Sequence, residues 1–595
     1  MLGLALALGA SGCKGKPDRS SAAETALAEQ RADAPPTVTV GSGPLLDIVA
    51  PQDVWAYGGV DAMAALAQKL GGALGMPPLP SGAGAMAGAL VGKPIAKKLG
   101  LTSPSGLDLA RPLRFAVVDP RGGEKAILVV GITSRDALVQ TLPAGRRENE
   151  QQNAYAYGEG SPTYVNFVGD YAVFSRRPGT FTGLREFLGR LAGATLPAQV
   201  AVAVPLKNAF ASLGPELAMA LEALKRELPA QAALGGAAPG TAAKGAALAT
   251  ETLTWLAGAA KEVDHALLTA SFDDGALVTL ELAPKPGTAL ETTFKSLAGR
   301  PHKLLAKLPA DAPLFLSVAV DPQKGGDLTK RLYELVADME GDGSPRAAEF
   351  ASAAMRYWNA STGEVAFAAH ALPDGPGLAF SGIMGLRDAA EARRAKADLD
   401  KIRDDPRWQE AAAATGAKTK RHPDAFKLGG VSFDTTEVEV DRDKLGGLTP
   451  GASDMLGALM HQAAGLGEDA AYYAMGAEPQ KALELLLGPK ARGGLDRAPG
   501  VARALEHAAP GPFFVGYARV LDLLKAFAPL GGGAVDPGVI PATQNGLALS
   551  LGVKDGAVRA VLDLPMEQVV AAIQLYMSRV GSMPMPAPGR APLGL

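Results

Sequence analysis

Six histidines, one cysteine and a scatter of serines and carboxylates are the side chains that could carry chemistry in this 595-residue chain. The histidines are His265, His302, His370, His422, His461 and His507. None stands at metal-ligand spacing from another, and there is no His-Glu-x-x-His, so no local zinc site is expected. His461 follows Met460 on a predicted helix, and His370 sits in an alternating strand; both read as packed or solvated imidazoles. Gly451-Ala452-Ser453-Asp454-Met455 comes nearest to the Gly-x-Ser-x-Gly turn of a serine hydrolase, but Met455 stands where Gly is required. Ser453 therefore reads as a helix cap. Gly82-Ala-Gly84-Ala-Met-Ala-Gly88 has one residue too many for a dinucleotide loop, and no Gly-x-x-x-x-Gly-Lys-Ser/Thr phosphate loop occurs. Asp273-Asp274 reads as a hairpin turn and Asp404-Asp405 as the end of a helix. Neither offers the contrast of environments that splits two carboxyl pKa values for acid–base work. No catalytic residue, metal or cofactor is expected.

The remaining reactive group is the thiol of Cys13. It closes an apolar run, Leu2-Gly-Leu-Ala-Leu-Ala-Leu-Gly-Ala-Ser-Gly-Cys13, too short to span a bilayer and of the length of a signal-peptide core. With Ala10-Ser11-Gly12-Cys13 in place, this segment resembles bacterial lipoprotein precursors. The resemblance implies cleavage before Cys13, acylation of its sulfur with palmitate-like chains, and a place in the cell envelope, on the periplasmic side of the inner or outer membrane. Cys13 is the only cysteine, which excludes intramolecular disulfides, Cys-x-x-Cys redox chemistry and cysteine zinc sites. Each buried methylene contributes ~0.8 kcal/mol, and stable anchoring needs more than one chain.

The elements behind these residues suit a large α+β protein. Hydrophobic residues make up 47% of the chain and aromatics only 5%, so the cores must be Ala, Leu and Val. With 58 basic and 61 acidic residues the net charge is −3, which offers no field for a polyanion. The nearest basic cluster, Lys418, Lys420, Arg421 and Lys427, reads as a solvated loop before a strand; nucleic acid is not an expected partner.

One pattern recurs: a proline or acidic turn, a strand, then a helix. The clearest instance is Leu308-Pro309-Ala310-Asp311-Ala312-Pro313, then Leu314 to Val320, then a helix capped by Asp327. Similar openings precede Val54, Val200, Ala470 and Phe513. Hairpins lie between them, turning at Asp273-Asp274-Gly275 and Lys554-Asp555-Gly556, where Gly supplies positive φ. Others turn at Arg121-Gly122-Gly123 and Pro373-Asp374-Gly375. Helices are predicted over Leu386–Arg403 and after Pro565. The openings Leu308-Pro-Ala-Asp and Leu196-Pro-Ala-Gln are similar to those of large uncharacterised exported bacterial proteins, in which a strand follows such a turn early in each half. That resemblance implies architecture alone.

The expected organisation is a signal peptide over 1–12, a lipid-anchored flexible tether over 13–44, two duplicated units of antiparallel sheet packed on helices over 45–300 and 301–581, and a disordered tail over 582–595. Pro229 to Ala246, mostly Ala and Gly, reads as a linker broken by Pro239. Three functions follow in order: a non-catalytic envelope protein that binds or scaffolds an envelope protein or cell-wall polymer, a carrier of lipid or another apolar ligand between sheet and helices, and a hydrolase with a dispersed site.

Overall fold

The computed structural model of the chain describes residues 40–61, 66, 83–119, 126–149, 154–158, 162–177, 179–234, 239–324, 346–371, 378–414, 417–440, 460–489, 491, 493–527 and 537–582. Cys13, the apolar leader, most of the expected tether, the helix after Asp327, Ser453, the turns at 121–123 and 373–375 and the tail beyond Ser582 lie outside them. The chain packs as two units, one running to Leu290 except for 238–241, the other from Glu291 onward.

The first unit runs β1 (Gly43–Pro44), β2 (Val54–Val60), α1 (Ala83–Leu99), β3 (Leu113–Val118), β4 (Ala126–Gly131), α2 (Arg135–Gln140), β5 (Arg147–Asn149), β6 (Ala154–Tyr157), β7 (Thr163–Val168), β8 (Tyr171–Ser175), α3 (Thr180–Ala192), β9 (Ala194–Thr195), β10 (Val200–Pro205), α4 (Leu206–Leu234), α5 (Pro239–Glu262), β11 (Val263–Ser271) and β12 (Gly275–Pro284). β1 and β9 form a two-residue parallel ladder. The other strands form one antiparallel sheet in the order β12-β11-β10-β2-β3-β4-β8-β7-β6-β5. Alternation along β8 shows how the sheet is covered. Tyr171 and Val173 face Leu184, Phe187 and Leu188 of α3. Ala172 and Phe174 face Ala96 of α1 and Leu138 of α2. A strand buried on both faces reads as a near-continuous apolar run, as β8 does from Tyr171 to Phe174 before the buried Ser175.

After α6 (Ala289–Ser296), the second unit runs β13 (Leu314–Ala319), α7 (Ala347–Asn359), β14 (Ser361–Ala371), β15 (Leu378–Leu386), α8 (Ala389–Arg403), α9 (Pro406–Ala414), β16 (Ala417–Leu428), β17 (Val431–Val440), β18 (His461–Leu466), β19 (Ala470–Met475), α10 (Pro479–Leu487), α11 (Pro499–Glu506), β20 (Pro512–Ala518), α12 (Val520–Phe527), β21 (Leu547–Lys554), β22 (Ala557–Pro565) and α13 (Met566–Ser582). Its sheet is antiparallel in the order β22-β21-β20-β13-β14-β15-β19-β18-β17-β16. Phe315, Phe433 and Tyr517 lie on one face against Leu483 of α10 and Val501 of α11. Met384 and Leu386 lie on the other, against α7 and α8. α+β is thus the class, with antiparallel sheets layered on helices.

Two local expectations give way. The stretch read as a linker is helical through Leu234 and again from Pro239. Ala is the strongest helix former, and Pro at the first helical position has no N–H that the helix would miss. The helix expected from Leu386 starts at Ala389, because the Asp388 carboxylate accepts from the Glu391 N–H at 2.9 Å and caps it there. Between β21 and β22, Asp555 (φ 54°) and Gly556 (φ 80°) both take left-handed conformations, as a two-residue hairpin turn with the strands' own twist requires.

Candidate functional site

In β14, alternation sets Ala366, Ala368 and His370 on the face of Phe315; in β15 it sets Ala379, Ser381 and Ile383 there. Ala368 lies opposite Ser381, so His370 and Ser381 are diagonal neighbours, Nε2 to Oγ 2.6 Å. A serine hydrogen-bonded to an imidazole is the first half of a nucleophile for acyl transfer. Here Ser381 is 1% exposed and His370 4%. Burial pushes the imidazole down to about 4, the charge of Asp311 opposing it only in part. The His370 Nδ1, which a third group would orient in a triad, has no partner among the described residues. With its pKa held that low the imidazole is a weak base near neutral pH, and both side chains are buried.

The other imidazoles lie apart on separate elements. His302 bridges two strands: its Nε2–H donates to the Pro512 carbonyl (3.0 Å), leaving Nδ1 to accept from the Ser317 hydroxyl (2.7 Å). Burial lowers its pKa. His507 Nδ1 meets Asp563 Oδ2 at 2.9 Å, beside Arg503 at 3.4 Å. His265 lies beside Asp264, and His422 stands opposite Thr435 in β16. His461 opens β18 and is exposed, in a strand paired with β17 and β19 and not on the expected helix. No group of three His, Cys, Asp or Glu is placed to hold a metal among the described residues.

The basic cluster is also in a strand, β16, and not in a loop. Lys418 lies opposite Glu439 and Lys420 opposite Glu437. Arg421 contacts Asp400 (2.5 Å) and Asp404 (2.9 Å), and Lys396 bridges Asp400 (2.7 Å) and Asp434 (2.6 Å). Burial pushes the Asp434 carboxyl up, but the bonds from Lys396 and the Asp424 N–H, with the Lys396 and Arg421 charges, hold it below the usual carboxylate range. Arg421 and Lys396 thus staple α8 to β16 and β17. Asp273 and Asp274 lie between β11 and β12, and Asp404 ends α8.

Two features escaped the residue patterns. The first is Arg114, 1% exposed, on β3. Its Nη2 donates to the Ala194 carbonyl (2.6 Å) and to Asp61 Oδ1 (3.0 Å). Burial weakens its hold on the proton, and the Asp61 charge opposes that. The signal was Gly58-Gly59 inside a strand, since Gly there marks a close approach. The second is an apolar row across the second unit's sheet, on the face opposite Phe315. Cross-strand register runs Leu562, Leu549, Gly516, Leu316, Phe367, Gly382, Tyr473. Leu316, Phe367 and Leu549 are 44%, 38% and 39% exposed. The row ends where the Tyr473 hydroxyl bonds that of Tyr357. Large apolar side chains thus stay open to water along one row of the sheet.

Among the described residues no helix is long and apolar enough to cross a membrane. Compared with known proteins, the chain matches no family model, no curated protein and no solved structure.

Proposed function

We propose that this chain is an envelope lipoprotein, held on a membrane by acyl chains on Cys13, whose folded part binds or scaffolds an envelope partner and does not turn over a substrate. The observation that carries the reading is a contrast within one sheet. The Ser381–His370 pair is closed off on one face, while Leu316, Phe367 and Leu549 stand open on the other. The lipobox-like run ending at Cys13 supports the anchor. The test is capture from detergent-solubilised envelope with the wild type and with Leu316→Ser/Leu549→Ser. One envelope component retained by the wild type and lost by the variant supports the reading; equal retention, or none, overturns it.

The same row favours a second reading, a carrier of lipid or another apolar molecule. Organic extracts of the native protein, analysed by mass spectrometry, decide it: a co-purifying lipid supports the carrier, and a clean extract removes it.

The two units read as copies of one α+β design. What supports this is the strand order, which matches position for position when β2, β3 and β4 are set on β13, β14 and β15, β5 to β8 on β16 to β19, and β10 to β12 on β20 to β22. Helices interrupt both at the same places: after β2 and β13, after β4 and β15, after β8 and β19, and after β10 and β20.

A further inference from the structure

We propose that the uncovered face of the second unit's sheet, on β13 and β20 to β22, holds the acyl chains of a membrane phospholipid. This deepens the carrier reading above and rests on it. Cross-strand register puts Leu314, Leu316 and Val318 of β13 on one face with Phe514, Gly516 and Ala518 of β20. Every second residue from Leu547 to Val553 and from Val558 to Leu564 continues that face across β21 and β22. All fourteen positions are apolar, and only Gly516 among them is buried. The other face of the same strands packs on α10 and α11, and it is the one that carries Ser317, Ser550 and Asp563. An antiparallel sheet with one solvated face ordinarily keeps its polar residues on that face. Here the buried face has them and the open face has none. Farther along the sheet, α7 and α8 cover the open side at Met384 and Leu386.

The occupant follows from what the face lacks. With no cation, donor or acceptor among its side chains, it offers nothing to a free carboxylate or a peptide backbone, whose polar groups would be buried unpaired. A phospholipid can leave its headgroup in water and present hydrocarbon alone. Size agrees. At ~4.8 Å between strands and ~3.4 Å per residue, each position covers roughly 33 Å², and the whole face about 460 Å². Apolar patches of that order on a protein surface are often functional. The area falls short of the ~800 Å² that each partner gives to a stable dimer. The face runs about 14 Å across the four strands and about 20 Å along β21. One leaflet of membrane hydrocarbon is about 15 Å deep, so an acyl chain matches the face in length.

The test uses the full chain carrying Cys13→Ala, so that no acyl group on the chain itself supplies the hydrocarbon. It is incubated with vesicles of phosphatidylethanolamine and phosphatidylglycerol that contain pyrene-labelled phosphatidylethanolamine, and the vesicles are then removed by flotation. The expected result is labelled lipid in the vesicle-free protein, and at least one lipid fewer per chain for Leu316→Ser/Leu549→Ser with an unchanged circular dichroism spectrum. Should the double variant not fold, Leu316→Ser and Leu549→Ser singly, both at exposed positions, are expected to raise the lipid concentration for half-loading at least threefold. Equal loading of wild type and variants overturns the assignment to this face and leaves the carrier reading standing. No labelled lipid on the wild type overturns both. A chain that floats with the vesicles and extracts nothing overturns the proposal, because an intact bilayer would then cover the face. So does a doubled mass that the variant loses, because the cover would then be a second copy.

Discussion

Arg114 lies flat across Gly59, the residue opposite it on β2. A Cβ at position 59 would stand 2.4 Å from the Leu113 carbonyl oxygen and 2.5 Å from the Arg114 Cδ. The missing side chain is what lets a buried guanidinium reach Ala194 and Asp61. Two more pairs repeat the device: the Phe367 ring over Gly382 and the Phe433 ring over Gly465. A large side chain opposite glycine covers the exposed backbone, as aromatic neighbours do for glycines in sheets.

Gly59→Ala should therefore destabilise the protein by more than about 2 kcal/mol, since the backbone oxygen cannot give way. Arg114→Ala should cost about 3 kcal/mol, because it leaves a void and takes a buried donor from the Ala194 carbonyl. Urea unfolding of both variants, with the m-value compared to wild type, checks this; wild-type stability in Gly59→Ala would contradict it.

The local elements were legible and their partners were not. β13 and β19 follow turns whose Pro, Asp and Gly end one element and start the next within a few residues, so their pattern is complete in the sequence. β16 was not legible, because Arg421 looks solvated until Asp400 and Asp404 are brought beside it from α8 and its end. The helices around Pro239 were hidden by composition, since Ala and Gly serve linkers and helices alike. The Arg114 contacts join residues 53 and 80 positions apart, which no local period reports. The open row exists only after six cross-strand pairings have been made.

Burial on the two faces should separate stability from binding. Leu483 of α10, fully buried against the face of Phe315, should cost about 2–5 kcal/mol when cut to Ala, in line with core leucines. Leu316→Ser, on the open row, should change stability by less than about 1 kcal/mol. Denaturant midpoints of the two variants decide it, and similar midpoints would refute the assignment of faces.

Acid should weaken the second unit through His370. Its imidazole titrates at about 4 when folded and near 6.5 otherwise. Between those values the unfolded chain binds the proton and the folded one does not. Stability is complete above pH 6.5, falls as the pH drops toward 4, and levels off below, a loss of about 3 kcal/mol. His370→Gln should flatten that part of the curve in unfolding measured at pH 7 and pH 4.5.

Glu364 is the opposite case. Burial raises its carboxyl, while the Leu304 N–H and the charges of Lys303 and Lys307 hold it back. A raised carboxyl favours the fold below its folded pKa and costs stability as the pH rises through it. Glu364→Gln keeps an acceptor for Leu304 and removes the charge. It should gain up to about 1 kcal/mol at pH 7 and nothing near pH 4; a loss at both pH values would show that the charge itself is needed.

The anchor is the claim on which the envelope role stands. Metabolic labelling with palmitate, followed by membrane fractionation of wild type and Cys13→Ala, tests it most directly. The account predicts label and membrane association in the wild type and neither label nor tight association in the variant. An unlabelled wild type, or a Cys13→Ala chain still carrying the label, would contradict it.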